Sequence, residues 1–127
     1  MKASIAGAVI ALALAGPAMA DPVLGTWKTQ VDDGSYAHIT FANCGPAICG
    51  KIARTFNGQG EYKSPNIGKP LVWDMQAAGG GKYAGGKIWQ PSTGKVYKSK
   101  MALSGDTLNV SGCVGPLCKK QTWSRVK

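Results

Sequence analysis

Apolar and polar side chains alternate in short runs along this chain. Val23, Gly25, Trp27, Thr29 and Val31 share one parity, and Leu24, Thr26, Lys28 and Gln30 the other. Ala37, Ile39 and Phe41 alternate with Tyr36, His38 and Thr40; Leu71, Trp73 and Met75 share a parity, as do Leu108 and Val110, and Gln121, Trp123 and Arg125. Successive side chains of a strand point to opposite faces, so a period of two marks half-buried strands. No window of about 11 residues carries a helical stripe. Turn signals separate the runs: Asp32-Asp33-Gly34, Gly45-Pro46, Gly79-Gly80-Gly81, Pro91 to Gly94, Ser104-Gly105-Asp106 and Gly115-Pro116. The pattern predicts strands over about 24–31, 35–43, 48–56, 69–75, 81–90, 95–103, 107–113 and 118–126.

Eight short antiparallel strands joined by tight turns suit an up-and-down barrel, an all-β fold that leaves no open sheet edge. If strand 1 starts at one end, the base, then successive turns alternate between the two ends. Loops 2–3, 4–5 and 6–7 fall at the base, and loops 1–2, 3–4, 5–6 and 7–8 at the mouth. Four cysteines permit three pairings. Cys44 and Cys49 flank loop 2–3 while Cys113 and Cys118 flank loop 7–8. Opposite ends of a barrel lie beyond disulfide reach, so the expected bridges are Cys44–Cys49 and Cys113–Cys118. A zinc site of four thiolates is the rival, but its knuckles usually have two residues between ligands rather than four. No metal is expected.

The amino-terminal stretch changes the compartment. Lys2 is followed by an apolar run from Ile5 to Leu14, then Gly16-Pro17 and Ala18-Met19-Ala20. A positive head, a short apolar stretch and small residues around a variable one form a secretory signal peptide; the run is too short to span a bilayer as a mature helix. The other reading of that run is a buried helix. Cleavage near Ala20 divides the chain into a signal peptide, 1–20, and one domain, 21–127, which is periplasmic or secreted.

The formal charge is +9, or +8 without Lys2, and arginine occurs only at Arg54 and Arg125. Lysines act as diffuse point charges rather than bidentate phosphate forks. With export, this disfavours nucleic acid and favours an anionic membrane surface, an envelope protein or a small amphipathic or anionic ligand. A solubilising surface explains the same charge without a partner. A monomer without cofactor is expected.

"LGTWKT", "ICGKI", "GGKIWQPSTGKVYKSKMAL", "GDTLNVSGCVG" and "QTWSRVK" together resemble the bacterial domain-of-unknown-function 2147 family. The resemblance runs from about Leu24 to the carboxyl terminus and implies a calycin-like, that is lipocalin-like, barrel, chiefly through Gly25-x-Trp27 and Arg125. It implies no activity. Two departures stand out: Trp89-Gln90 replaces the family's usual aromatic-Asp pair, and Cys118-Lys119-Lys120 replaces Phe-Gly-Arg. Trp27 and Arg125 lie on the first and last strands, which meet when the barrel closes, and are expected to stack as a structural plug of the base.

"QPSTG" is the turn at the mouth between strands 5 and 6. Trp89, Tyr97, Tyr36, His38 and Tyr62 are expected to wall an opening there, beneath a rim of Lys63, Lys87, Lys95, Lys98 and Lys119, with the long connection around Glu61 as a lid. Aromatic walls under a lysine rim suit an amphipathic anion. The alternative is a filled barrel with a basic collar that docks on a partner, because eight strands enclose little more than their own side chains. Catalysis has no foothold. His38 is the only histidine and has no Ser-His-Asp spacing around it, and the acids fall mainly in turns, with Asp74 the exception in a strand.

Overall fold

A computed structural model of the chain describes residues 20–127; the expected signal peptide lies almost wholly outside them. The nine strands are β1 (Gly25–Lys28), β2 (Tyr36–Cys44), β3 (Ala47–Asn57), β4 (Gly60–Tyr62), β5 (Pro70–Gly79), β6 (Lys82–Gln90), β7 (Lys95–Ser104), β8 (Thr107–Val114) and β9 (Leu117–Arg125). β1 pairs with both β2 and β9, and β2 also pairs with β3, so eight strands close into an antiparallel barrel. The ninth, β4, is a short flap on β3 within the long connection expected to act as a lid. Thr55 fixes it: its hydroxyl donates to the Tyr62 carbonyl at 2.6 Å and accepts the Ser64 N–H.

Alternation puts Trp27, Ile39, Phe41, Val72, Met75, Tyr83, Met101, Leu108, Val110 and Trp123 inside, each almost fully buried. These side chains fill the lower and middle lumen. Trp123 lies 6.1 Å from Phe41 between ring centroids, and its indole N–H donates to Gln121. Among the described residues no buried side-chain polar atom lacks a partner.

The expected parity of Leu71, Trp73 and Met75 does not hold. Val72 and Met75 face the lumen opposite Gly50 and Ile48, and Trp73 points outward beside Lys87. An extra residue causes this. Asp74 takes the left-handed conformation (φ 57°), and beside it on β6 Gly85 does the same (φ 76°). Asp tolerates that region better than most residues and glycine accepts it freely. Next to it, a Cβ on Gly86 would lie 2.9 Å from the Trp73 carbonyl oxygen. The Gly85-Gly86 pair therefore lets two bulged strands approach closely.

Both disulfides are the expected local ones, Cys44–Cys49 and Cys113–Cys118. Bridged pairs are characteristic of oxidising compartments.

Candidate functional site

At the base, polar groups are tightly partnered. The Arg125 guanidinium lies 4.3 Å over the Trp27 ring and donates to Asp106, to the Pro22 carbonyl and to the Gly105 carbonyl. Trp27 donates its indole N–H to the Val23 carbonyl at 2.8 Å. Tyr83 donates to the Asp21 carboxylate, which also accepts the Val23 N–H; burial, then this bond, push the phenol above its ordinary pKa. Lys127 and Arg125 together hold Asp106 below the usual carboxylate range.

The mouth contrasts with this. Residues expected to surround one opening are divided between the two faces of the sheet. Ile88 pairs with Tyr97 and Trp89 with Val96, so Tyr97 points inward with Ile88 while Trp89 points outward. Tyr62 lies opposite Thr55 on the lumen side, and Lys95 and Lys119 share inward parity through Gln90 and Gly112. Tyr97 donates its hydroxyl to Gln90 at 3.2 Å. Lys63 is exposed on the connection beyond β4.

Tyr36 and His38 also leave the opening, because Ala37 and Ile39 take the inner face of β2. They join an outer ladder that the sequence reading did not foresee. Tyr36 stacks on Phe56 at 4.6 Å, His38 tilts against Phe56 at 4.7 Å, and Lys28 sits 4.5 Å over Tyr36. Arg54 caps Phe56 and forms a forked ion pair with Glu61, which draws Glu61 onto β3 rather than over the mouth as a lid. Partial burial, then Arg54, hold the His38 imidazole below its ordinary pKa. The ring is therefore packed among aromatics and cations.

Trp89 and Lys87 form a second outer group. With Lys69, Pro70 and Trp73, Trp89 lines a shallow groove of about 440 Å³, and Lys69 Nζ lies 5.8 Å from its ring. Lys69 and Trp73 were absent from the expected set. The other pronounced depression is also on the outside, at the base, around Thr40 and the Cys44–Cys49 bridge.

A family model of bacterial proteins, described as "Uncharacterized protein conserved in bacteria (DUF2147)", matches residues 25–125. The chain belongs to the DUF2147 family. No curated protein matches the sequence. Among solved structures, this DUF2147 barrel resembles protein HP1028 from the human pathogen Helicobacter pylori, described as belonging to the lipocalin family. The TM-score is 0.70 at 18% identity, with 85% of each chain covered. The shared property is the lipocalin-like fold.

On the DUF2147 barrel the cations are distributed unevenly. From Met75 to Lys127 the only acid is Asp106, which is at the base. Lys87 of β6 lies directly opposite Lys98 of β7, which in turn lies opposite Cys113. Like charges facing across neighbouring strands repel. Among the described residues, ion pairs engage Arg54, Arg125 and Lys127, and none of the mouth-end lysines. Two apolar side chains complete this end, Val114 and Leu117, which are 64% and 78% exposed. They flank the Gly115-Pro116 turn directly, as the last pair of the hairpin. Among the described residues, no three His, Cys, Asp or Glu gather as a metal cage would require.

Proposed function

We propose that this protein is an exported, non-catalytic β-barrel module that docks on an anionic envelope surface through the mouth end of β6–β9. The observation that carries the reading is the facing Lys87–Lys98 pair, neither member of which forms an ion pair among the described residues. Such an arrangement costs stability in the free protein and is relieved by a partner's negative charge. A lumen filled through its lower and middle parts and an outward Trp89 also favour docking over encapsulation. Export rests on the signal-peptide pattern before Asp21 together with the two disulfides.

The test is salt-dependent retention on a heparin matrix as a generic polyanion. Lys98→Gln/Lys120→Gln is expected to elute at clearly lower salt than the wild type. The equal charge change at the base, Lys51→Gln/Lys82→Gln, is expected to have a smaller effect. Equal effects from the two pairs would mean general basicity and no docking face.

A second reading, an amphipathic ligand held just inside the mouth, draws on the lumen-side positions of Tyr62, Lys95, Tyr97 and Lys119 and on the lipocalin family of the structural neighbour. Native mass spectrometry of protein gently purified from an exporting host separates the two. A retained small molecule supports encapsulation, and a bare barrel supports docking.

A further inference from the structure

We infer that the β8–β9 hairpin tip is a membrane wedge, which inserts Val114 and Leu117 among the head groups of a bilayer containing anionic phospholipid. This rests on the docking reading and names its surface. The stretch Cys113-Val-Gly-Pro-Leu-Cys118 carries no polar side chain. Val114 and Leu117 form the last pair of the ladder, immediately beyond the Cys113–Cys118 bridge. They are the most exposed large apolar side chains among the described residues. A soluble surface gains nothing by presenting two neighbouring aliphatic side chains on a cross-linked tip.

Lysines collar that tip. Lys119 and Lys120 follow Cys118 directly, on the inner and outer faces of β9, and Lys98 lies across from Cys113. Each is within a few strand residues of the tip, at roughly 3.4 Å per residue. Apolar side chains of peripheral proteins enter a bilayer by roughly 5–10 Å, which leaves this collar at the level of the phosphates. Each lysine held near an anionic membrane is worth about a fivefold change in partition coefficient. Trp89 and the exposed Val96 face each other on the outside of the neighbouring hairpin, near the same end. Indoles favour the membrane interface. A second copy of this chain is a poor occupant, because it would bring the same unpaired cations to the contact.

The chain contains a built-in control. The other disulfide-braced tip, Cys44-Gly-Pro-Ala-Ile-Cys49, has the same cysteine spacing and also a Gly-Pro turn, yet its Ala47 and Ile48 are 8% and 6% exposed. Neither a short bridged hairpin nor its sequence type therefore forces apolar side chains into solvent.

The experiment uses the oxidised, exported protein and vesicles of phosphatidylcholine with and without phosphatidylglycerol. Co-flotation is measured beside heparin retention, for wild type and for Val114→Ser/Leu117→Ser. Circular dichroism checks that the variant is folded. The expected result is binding to phosphatidylglycerol vesicles only, weakened at least about tenfold in the variant, with heparin retention unchanged. Equal vesicle binding by variant and wild type overturns the wedge. Heparin retention without vesicle binding by the wild type also overturns it, and leaves the docking reading standing on another polyanion. Failure to bind either matrix overturns the docking reading itself.

Discussion

The two ends of the barrel are made from the same element, a tight antiparallel hairpin, and serve opposite ends. At the base, Trp27, Arg125, Asp106, Asp21 and Tyr83 are locked together by stacking and hydrogen bonds, and the apolar residues of the Cys44–Cys49 tip turn inward. At the mouth the lysines of β6–β9 form no ion pair among the described residues, and the apolar residues of the Cys113–Cys118 tip, on the same face as Gly112 and Lys119, stand in solvent beyond the ladder. Groups at the base already have partners within the chain. The mouth-end lysines of β6–β9 have no ion-pair partner among the described residues. Stability is concentrated at one end and the capacity for new contacts at the other.

The largest expected effect is at the base. Trp27→Ala removes a fully buried indole and should destabilise the protein by about 3–5 kcal/mol, read from the midpoint of urea unfolding. Arg125→Ala should cost about 1–2 kcal/mol. In the double variant the losses should fall short of the sum, because the guanidinium has lost its ring; strict additivity would remove the stacked pair from the base. Next come the disulfides. Each closes a small loop worth about 2 kcal/mol in chain entropy, so Cys44→Ser/Cys49→Ser and Cys113→Ser/Cys118→Ser should differ little on that account. Amide exchange should separate them. The mouth tip, with Val114 and Leu117 exposed, should lose protection far more than the base tip, where Ala47 and Ile48 remain packed. Similar fraying at both would dissolve the contrast between them.

Smaller still, Leu117→Ser should change stability by no more than about 0.5 kcal/mol; a loss in the range of a core leucine would show that the tip is part of the core. The weakest expected effect concerns His38. As pH falls from about 7 to about 5, unfolded His38 takes up a proton near 6.5 while the folded imidazole, held lower by burial and Arg54, takes it up less readily. The unfolded state then binds more protons, so stability declines with falling pH. His38→Gln should flatten that part of the pH profile; an unaltered slope would show that the outer ladder does not hold the ring.

Much of the fold was legible because its signals are local. Period two gave the barrel strands within a few residues, and alternating turns placed the two cysteine pairs at opposite ends, where they bridge. Facing was harder. Whether Trp89 and Tyr97 share a side depends on loop length, since a one-residue slip exchanges the faces. The four residues Pro91 to Gly94 bring Gln90 opposite Lys95, and hence Trp89 opposite Val96 rather than on the side of Tyr97. That count was available in the sequence. The shift at Asp74 and Gly85 was not, because a bulge is an extra residue that leaves the flanking composition unchanged. Nor was the outer ladder, in which Phe56 reaches His38 only after the strand-pairing shift between His38 and Ile39.

The pairing of Trp27 with Arg125 has a consequence for the order of assembly. A chain made from its amino terminus supplies β1 first and β9 last, so the seam between them is the final one to zip. Hairpins and both bridges involve close neighbours and need not wait, whereas the seam joins residues nearly the whole domain apart and sets the slow, topology-limited step. Until then β1 has β2 on one flank and a bare row of amides and carbonyls on the other, open to any passing strand. The nascent barrel is therefore most vulnerable to mispairing along the edge that holds its anchoring indole, and a companion that shields this protein during biogenesis would have to cover β1.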